Sequence, residues 1–339
     1  MSRSARLVAI VLVLGVGVAV ALLRRERGPA VPTRAFEFTY VARIPELPEG
    51  SQKLRLWIPV PESDANQDIT SLRLESPAPY ELHRDPVYRN LYAYLEVNPK
   101  EVATPFEVKL RLWVNRRENK ASMKPAAAGS GAGNASAAEL RRALEPDRLV
   151  PTDGIIAQLA AQETRGLTDP LDKARAVYRY VVSTMKYDKS GQGWGRGDAI
   201  YACNIRKGNC TDFHALFIGM MRASGVPARF EIGFPLPADK PAGEVPGYHC
   251  WAQFYVEGVG WVPVDASEAW KNPDKRDYFF GAHDQHRVLF SRGRDIRFNP
   301  AQDSEPLNYF IYPYAEVDGQ PFSGVQAQFL FRDLGLPTR

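Results

Sequence analysis

Gly208-Asn209-Cys210-Thr211-Asp212-Phe213-His214-Ala215-Leu216-Phe217 is the stretch whose reading decides the fold. Asn209 is a strong N-cap residue, and Asp212, three positions on, supplies the acid of a capping box. From Phe213 to Met221 the residues are apolar nearly all round, so the pattern predicts a buried helix starting at Asn209. Gly225 suits the position just beyond its end, and Pro227 stops any continuation. Cys210 therefore falls in the first turn, where unpaired backbone N–H groups and the helix dipole favour an anion. Such a place lowers a thiol pKa from about 8.5 towards roughly 3.5–7.5, which makes thiolate available at neutral pH. An isolated cysteine is ordinarily a small buried hydrophobe; a helix start after a Gly-Asn turn argues for a nucleophile instead.

Downstream the periodicity changes to two. Phe230, Ile232 and Phe234 alternate, and His249–Val256 and Trp261–Val264 follow as strands. A helix followed by a run of antiparallel strands argues an α+β fold. A thiolate needs a base to carry a proton to the leaving amine, and that base needs a third group to fix its tautomer. His249 opens one strand and Asp265 closes the next. Counted as a hairpin with Glu257–Gly260 as its loop, Asp265 falls opposite Ala252, on the wrong face for His249. An odd-length loop, or a bulge near Gly258, Gly260 or Pro263, brings the two onto one face, and that irregularity is expected. The oxyanion of an acyl-transfer step should meet the Cys210 backbone N–H and one more donor. Trp194 or Gln192, in the Gly-rich loop Ser190–Asp198, is the expected source. No GxxxxGK[ST] or GxGxxG pattern lies between a strand and a helix there, so no phosphate cradle is read.

Other chemistry-bearing residues read more plainly. His214, four residues after Cys210, reads as packing or support for the site rather than as a second base. Cys203, Cys210, Cys250, His214 and His249 lack the close cysteine pair usual in zinc sites, so no metal is expected. His283-Asp284-Gln285-His286 reads as a solvated loop, and His83 as a surface or turn residue. Trp261 reads as core or cleft wall, and Trp251, next to the base, reads equally as wall or as substrate platform. Three cysteines exclude a disulfide-dense scaffold, and a Cys203–Cys250 bridge is left open.

Upstream, Asp169 and Pro170 start a second helix, with Leu171, Ala174, Val177, Val181 and Met185 at helical spacing. Ala35–Val41, Leu54–Val60, Leu91–Val97 and Phe106–Val114 read as strands of a sandwich-like domain over 34–118, separated by Pro-rich turns. An Ala-, Gly- and Ser-rich linker follows at 119–140, with Gly129, Gly131 and Gly133. The catalytic domain is placed at 141–298 and a C-terminal β extension, with Tyr309–Tyr312 and Gln326–Phe331 as strands, at 299–339. Residues 1–28 read as a signal anchor or signal peptide. Arg3 and Arg6 precede an apolar run from Leu7 to Leu23, and Arg24, Arg25 and Arg27 close it. Seventeen residues give about 25 Å of helix, at the short end of a membrane span. An uncleaved single-pass anchor with the body outside the cytoplasm fits best, with a secreted or periplasmic product if the signal is cleaved. The net charge of +4 is small, and acidic and basic residues are interleaved, so no nucleic-acid surface is read.

The three segments Gly208–Phe217 with Gly225-Val226-Pro227-Ala228-Arg229, His249-Cys250-Trp251, and Gly260-Trp261-Val262-Pro263-Val264-Asp265 together resemble the transglutaminase-like superfamily, over roughly residues 150–275. The resemblance implies a papain-like α+β core preceded by the β-sandwich-like domain. It implies a Cys210, His249, Asp265 triad and acyl transfer from a peptide or protein amide. The N-terminal β region and the anchor before it resemble bacterial members. Hydrolysis by a cysteine peptidase or amidase is the expected activity; transamidation of protein glutamine and a non-catalytic binding module are the alternatives. Transglutaminases proper often need calcium, but no EF-hand-type loop occurs here, and no cofactor is expected.

Overall fold

The β architecture begins where alternation is cleanest. In β1 (Thr33–Ile44) Phe36, Phe38 and Tyr40 are buried and the residues between them are half-exposed, as a period of two on a one-sided sheet requires. The computed structural model describes residues 30–124 and 135–335. The apolar run Leu7–Leu23 and linker residues 125–134 lie outside the described residues. Among the described residues, no helix is long and apolar enough to cross a membrane. The described residues from Thr33 onward form one compact unit.

After β1 come β2 (Leu54–Pro59), β3 (Gln67–Glu75), β4 (Glu81–Arg84), β5 (Leu91–Val97), β6 (Phe106–Arg117) and the short β7 (Asn119–Lys120). The helical part holds α1 (Ala137–Arg142), α2 (Gly154–Glu163) and α3 (Pro170–Thr184), then β8 (Lys186–Tyr187), α4 (Ala199–Ile205), β9 (Lys207–Gly208) and α5 (Cys210–Ala223). Next are β10 (Ala228–Pro235), β11 (Ala242–Glu244), β12 (His249–Val256), β13 (Gly260–Val264), α6 (Ala266–Lys271) and α7 (Arg276–Phe279). The chain ends with β14 (Ala282–His283), β15 (Arg287–Arg292), β16 (Tyr314–Val317), β17 (Gln320–Pro321) and β18 (Gln326–Asp333).

Two five-stranded sheets, ordered β11-β18-β1-β6-β3 and β17-β16-β2-β5-β4, share an apolar core. Both take strands from the two ends of the chain: β18 pairs with β1, setting Phe329 opposite Tyr40, and β16 pairs with β2. Residues 34–118 are thus closed by strands from the C-terminal stretch 299–339, and β11 from the catalytic region joins the same sheet. The third sheet, β13-β12-β10-β15, carries the site. Every residue of α5 from Cys210 to Arg222 is buried, because α2, α3, α4, α6 and this sheet surround it. Its apolar sequence is what such a position needs; each fully buried Leu, Ile, Phe or Met contributes roughly 1.5–3 kcal/mol.

Two expectations need correction. Tyr309–Tyr312 is irregular, not a strand: Phe310 and Ile311 are both buried, in different apolar clusters. Their carbonyls accept from Ser291 Oγ and Tyr40 Oη rather than from a ladder. His283 is fully buried on β14, which pairs with β7, so the solvated-loop reading of 283–286 does not hold at that residue. His283 stands edge-on to Trp251 with ring centroids 5.6 Å apart, and burial pushes its pKa down to about 3, so it is neutral.

Candidate active site

The position of Cys210 is built by its own helix start. Asn209 Oδ1 accepts from Thr211 N at 2.9 Å, and Asp212 Oδ2 accepts from Asn209 N at 2.9 Å, so the capping box is complete. Asp212 does more than cap. Its carboxylate also accepts from Gly195 N at 2.7 Å and Gly197 N at 3.0 Å, which ties the Gly-rich loop to the helix start. Gly208 is required beside it: a Cβ there would lie 2.2 Å from Asp212 Oδ2. The Cys210 backbone N–H, at the first helical position, has no backbone acceptor among the described residues, as expected of a helix N-terminus.

The hairpin of β12 and β13 has the odd-length loop the pairing needed. Val256 pairs with Gly260 and Ala252 with Val264, which leaves the three residues Glu257, Gly258 and Val259 as the loop. Gly258 takes φ +76° and Gly260 φ +94°, conformations that glycine adopts without strain. Asp265 thereby continues opposite Trp251 instead of Ala252, on the same face as His249. His249 Nε2 donates to Asp265 Oδ2 at 2.7 Å. That bond occupies one ring nitrogen and leaves Nδ1 for the Cys210 thiol, which lies close enough to His249 for each to shift the other's pKa. Cys210 is 2 % exposed, His249 5 % and Asp265 0 %, so the three meet out of bulk water.

Electrostatics follow from this contact. Burial pushes the Cys210 thiol up, but hydrogen bonds from Cys250 and His249 and the imidazolium charge outweigh it, and the thiol titrates well below its ordinary value. Burial pulls His249 down, yet the Asp265 charge and hydrogen bond, with help from Cys210, raise it to about 10. Burial opposes ionisation of Asp265 too; the His249 charge and hydrogen bond, with the Arg287 charge, hold it well below the usual carboxylate range. Both shifts run in the direction of a thiolate–imidazolium pair, since opposite charges close together move the two pKa values apart.

Asp265 is fixed on all sides. Its Oδ1 accepts from Ser267 Oγ at 3.1 Å and Glu268 N at 3.0 Å as the cap of α6, and its Oδ2 accepts from Arg287 Nη1 at 3.2 Å. Arg287 is 2 % exposed, lies 4.9 Å above the Trp251 ring, and pairs with Asp284 at 3.3 Å. Trp251 is itself buried, with its indole N–H donating to Glu231 at 2.7 Å, so it is wall and not platform.

Both ring nitrogens of His214 are engaged. Its Nε2 accepts from the Ala266 backbone N–H at 3.1 Å, which leaves the proton on Nδ1, 2.7 Å from the Cys210 carbonyl oxygen. Burial pushes its pKa down, so it stays neutral. It fastens the helix that begins at Cys210 to the turn after Asp265. Cys250 Sγ lies 3.7 Å from His214 Nδ1. Cys203, Cys210 and Cys250 are all free thiols. Among the described residues, no group of three or more His, Cys, Asp and Glu side chains is arranged to hold a metal ion.

The expected oxyanion donors are differently engaged. Trp194 Nε1 donates to Gly191 O at 3.2 Å within its own loop, and Gln192 is exposed. Three tyrosines that were not singled out stand at the site instead. Tyr187 is placed opposite Gly208 by the β8–β9 pair, Tyr248 precedes the histidine, and Tyr309 arrives from the irregular C-terminal stretch. Tyr248 was legible as the neighbour of His249; for Arg287 and Tyr309, 22 and 44 residues beyond Asp265, nothing local in the sequence pointed here.

Residues 157–266 match the model of the transglutaminase-like superfamily; that segment is a transglutaminase-like core domain. An uncharacterized protein of Haemophilus influenzae is 28% identical over 333 residues, 85% of this chain and 87% of that one. The uncharacterized protein YebA of Bacillus subtilis is 25% identical over 132 residues, 35% of this chain and 18% of its own. The solved structure of a candidate cysteine protease from Cytophaga hutchinsonii superposes with a TM-score of 0.57 at 15% identity, over 92% of this chain and 93% of that chain. That likeness extends across the strand-rich region as well as the core, and it concerns the fold.

Proposed function

We propose that this chain is a thiol acyl-transfer enzyme acting on amide or peptide bonds, with Cys210 as nucleophile, His249 as base and Asp265 as orienter. The observation that carries the reading is a buried thiol at a capped helix start, its pKa drawn down beside an imidazole whose other nitrogen is held 2.7 Å from a fully buried carboxylate. The thiolate attacks the carbonyl carbon, and the carbonyl electron pair moves onto oxygen. Collapse expels the amine, which takes its proton from the His249 imidazolium, and leaves an acyl-thioester. Water, deprotonated by His249, then attacks the thioester, releases the carboxylic acid and restores the pair.

Hydrolysis is favoured over transamidation because no feature of the described residues selects an amine over water. The test is acid-quench mass spectrometry after mixing the protein with an N-acetyl amino acid p-nitrophenyl ester. The acyl mass should appear on Cys210 and be absent in Cys210→Ala; an adduct that survives that substitution defeats the reading. Adding a primary amine separates the outcomes: predominant free acid supports hydrolysis, predominant amide supports transamidation.

Residues 1–28 as an anchor that places the body outside the cytoplasm belong to the same proposal, supported by the Leu7–Leu23 run and its arginines. Protection of a C-terminal tag from external protease in cells stripped to the inner membrane would contradict that orientation.

A further inference from the structure

Resting on that reading, we infer that Tyr248 is a catalytic residue whose phenolic O–H, together with the Cys210 backbone N–H, forms the oxyanion hole. The hydrogen bonds around it argue this by leaving its proton poorly committed. Asn209 Oδ1 is taken by Thr211 N at 2.9 Å, so the Asn209 amide must turn its Nδ2 outward, and Nδ2 donates to Tyr248 Oη at 3.1 Å. The phenol oxygen is thus held as an acceptor while its own hydrogen stays available. Among the described residues, Tyr309 Oη is the one acceptor it meets, at 3.4 Å, and Tyr309 spends its proton on Gly195 O at 3.2 Å. A 3.4 Å contact is beyond the usual range for O–H···O bonds, so this hydrogen can turn to a stronger acceptor at little cost.

Its placement suits that acceptor. Asn209 and Cys210 share the peptide bond that carries the Cys210 N–H, so the side chain holding Tyr248 is rooted at the first oxyanion donor. Tyr248 also precedes His249, and its ring is pinned by Tyr309 at 5.6 Å and Tyr312 at 5.9 Å between centroids. The phenol lies close enough to feel the Cys210 charge, and with burial this keeps it protonated and able to donate. In the acylation step the C–S bond forms as the C=O π pair moves to oxygen. Tyr248 and the Cys210 N–H each donate a hydrogen bond to that oxygen and transfer no proton. When the tetrahedral adduct collapses, the pair returns and the amine leaves with the proton from His249.

Two reagents separate this role from a structural one. Iodoacetamide alkylates the thiolate by displacement at a saturated carbon, with no oxyanion; p-nitrophenyl acetate acylates it through one. In full-length Tyr248→Phe the alkylation rate constant should stay within about twofold of wild type. The first-turnover acetylation rate should fall on the order of 10²-fold, the size seen when one oxyanion donor is removed. The alkylation rate doubles as the check on folding, and Tyr248→His, which restores a donor, should recover part of the acetylation rate. An unchanged acetylation rate, or a fall in both rates by the same factor without rescue by Tyr248→His, overturns the assignment. A wild-type Cys210 inert to both reagents defeats the nucleophile reading itself, and this assignment with it.

Discussion

The two faces of the four-stranded sheet are made by the same strands and do opposite work. On the inner face Cys250, Ala252, Phe254, Val262 and Val264 pack towards α5, Phe254 against Phe217 with ring centroids 6.3 Å apart. The outer face, one residue out of step, carries His249, Trp251, Asp265, Glu231, Arg229, Arg287 and Arg292. Both faces are buried, yet one excludes charge and the other concentrates it. A buried ion pair earns its place by geometry more than by net stability, since desolvation offsets most of the attraction. The outer face is therefore the side on which the fold gives up stability for orientation, and the Asp265–His249 contact is its working end.

The largest break in that comparison is Asp265→Ala. His249 loses its acceptor and its preferred tautomer, so p-nitrophenyl acetate acylation should fall about 10³–10⁴-fold, measured as first-turnover nitrophenolate release. Next come two substitutions of similar thermodynamic weight and different chemistry. Phe254→Ala, on the inner face, should cost about 3–5 kcal/mol in urea denaturation and leave the pH profile of the folded enzyme in place. Arg287→Met, on the outer face, leaves a buried carboxylate short of a partner and should cost about 3–5 kcal/mol. It should also move the profile: with one cation fewer beside Asp265, the imidazolium is held more strongly and the alkaline limb rises above its wild-type place near about 10. The smallest effect belongs to an exposed pair on neither face. Arg43→Met breaks a 2.7 Å contact with Glu107 in which both side chains are 45% exposed, and thermal unfolding should shift by no more than about 1 kcal/mol.

The same pair sets the dependence of stability on pH. His249 is raised on folding, so its contribution is fully present below about 6.5 and is lost as pH climbs through about 10. Asp265 is depressed, so its contribution is present above about 3.9 and is lost as pH falls through its lower folded value.

What the sequence made legible was local or periodic. The Asn209–Asp212 box, the all-round apolar run of α5, the alternation of β1 and the spans of β5 and β6 each follow from neighbours a few residues apart. An odd-length loop or a bulge in the hairpin could be demanded in advance, because only one parity puts His249 and Asp265 on one face. Residues brought by long connections were not legible. Arg287 reaches Asp265 through sheet order, and the pairing of β18 with β1 joins ends of the chain that no periodicity links. Tyr309–Tyr312 has the aromatic and β-branched composition of a strand, but neighbouring residues there serve two apolar clusters, and tertiary packing overrode that propensity.

The central claim is that Cys210 is ionised because His249 faces it, and one titration tests it. The rate of iodoacetamide alkylation of Cys210 is measured against pH in the wild-type protein and in His249→Ala. A wild-type inflection well below about 8.5, moving to or above that value once the imidazole is removed, is the predicted result. A wild-type inflection at or above about 8.5, unchanged by His249→Ala, would show that the pair does not exist and would contradict the account.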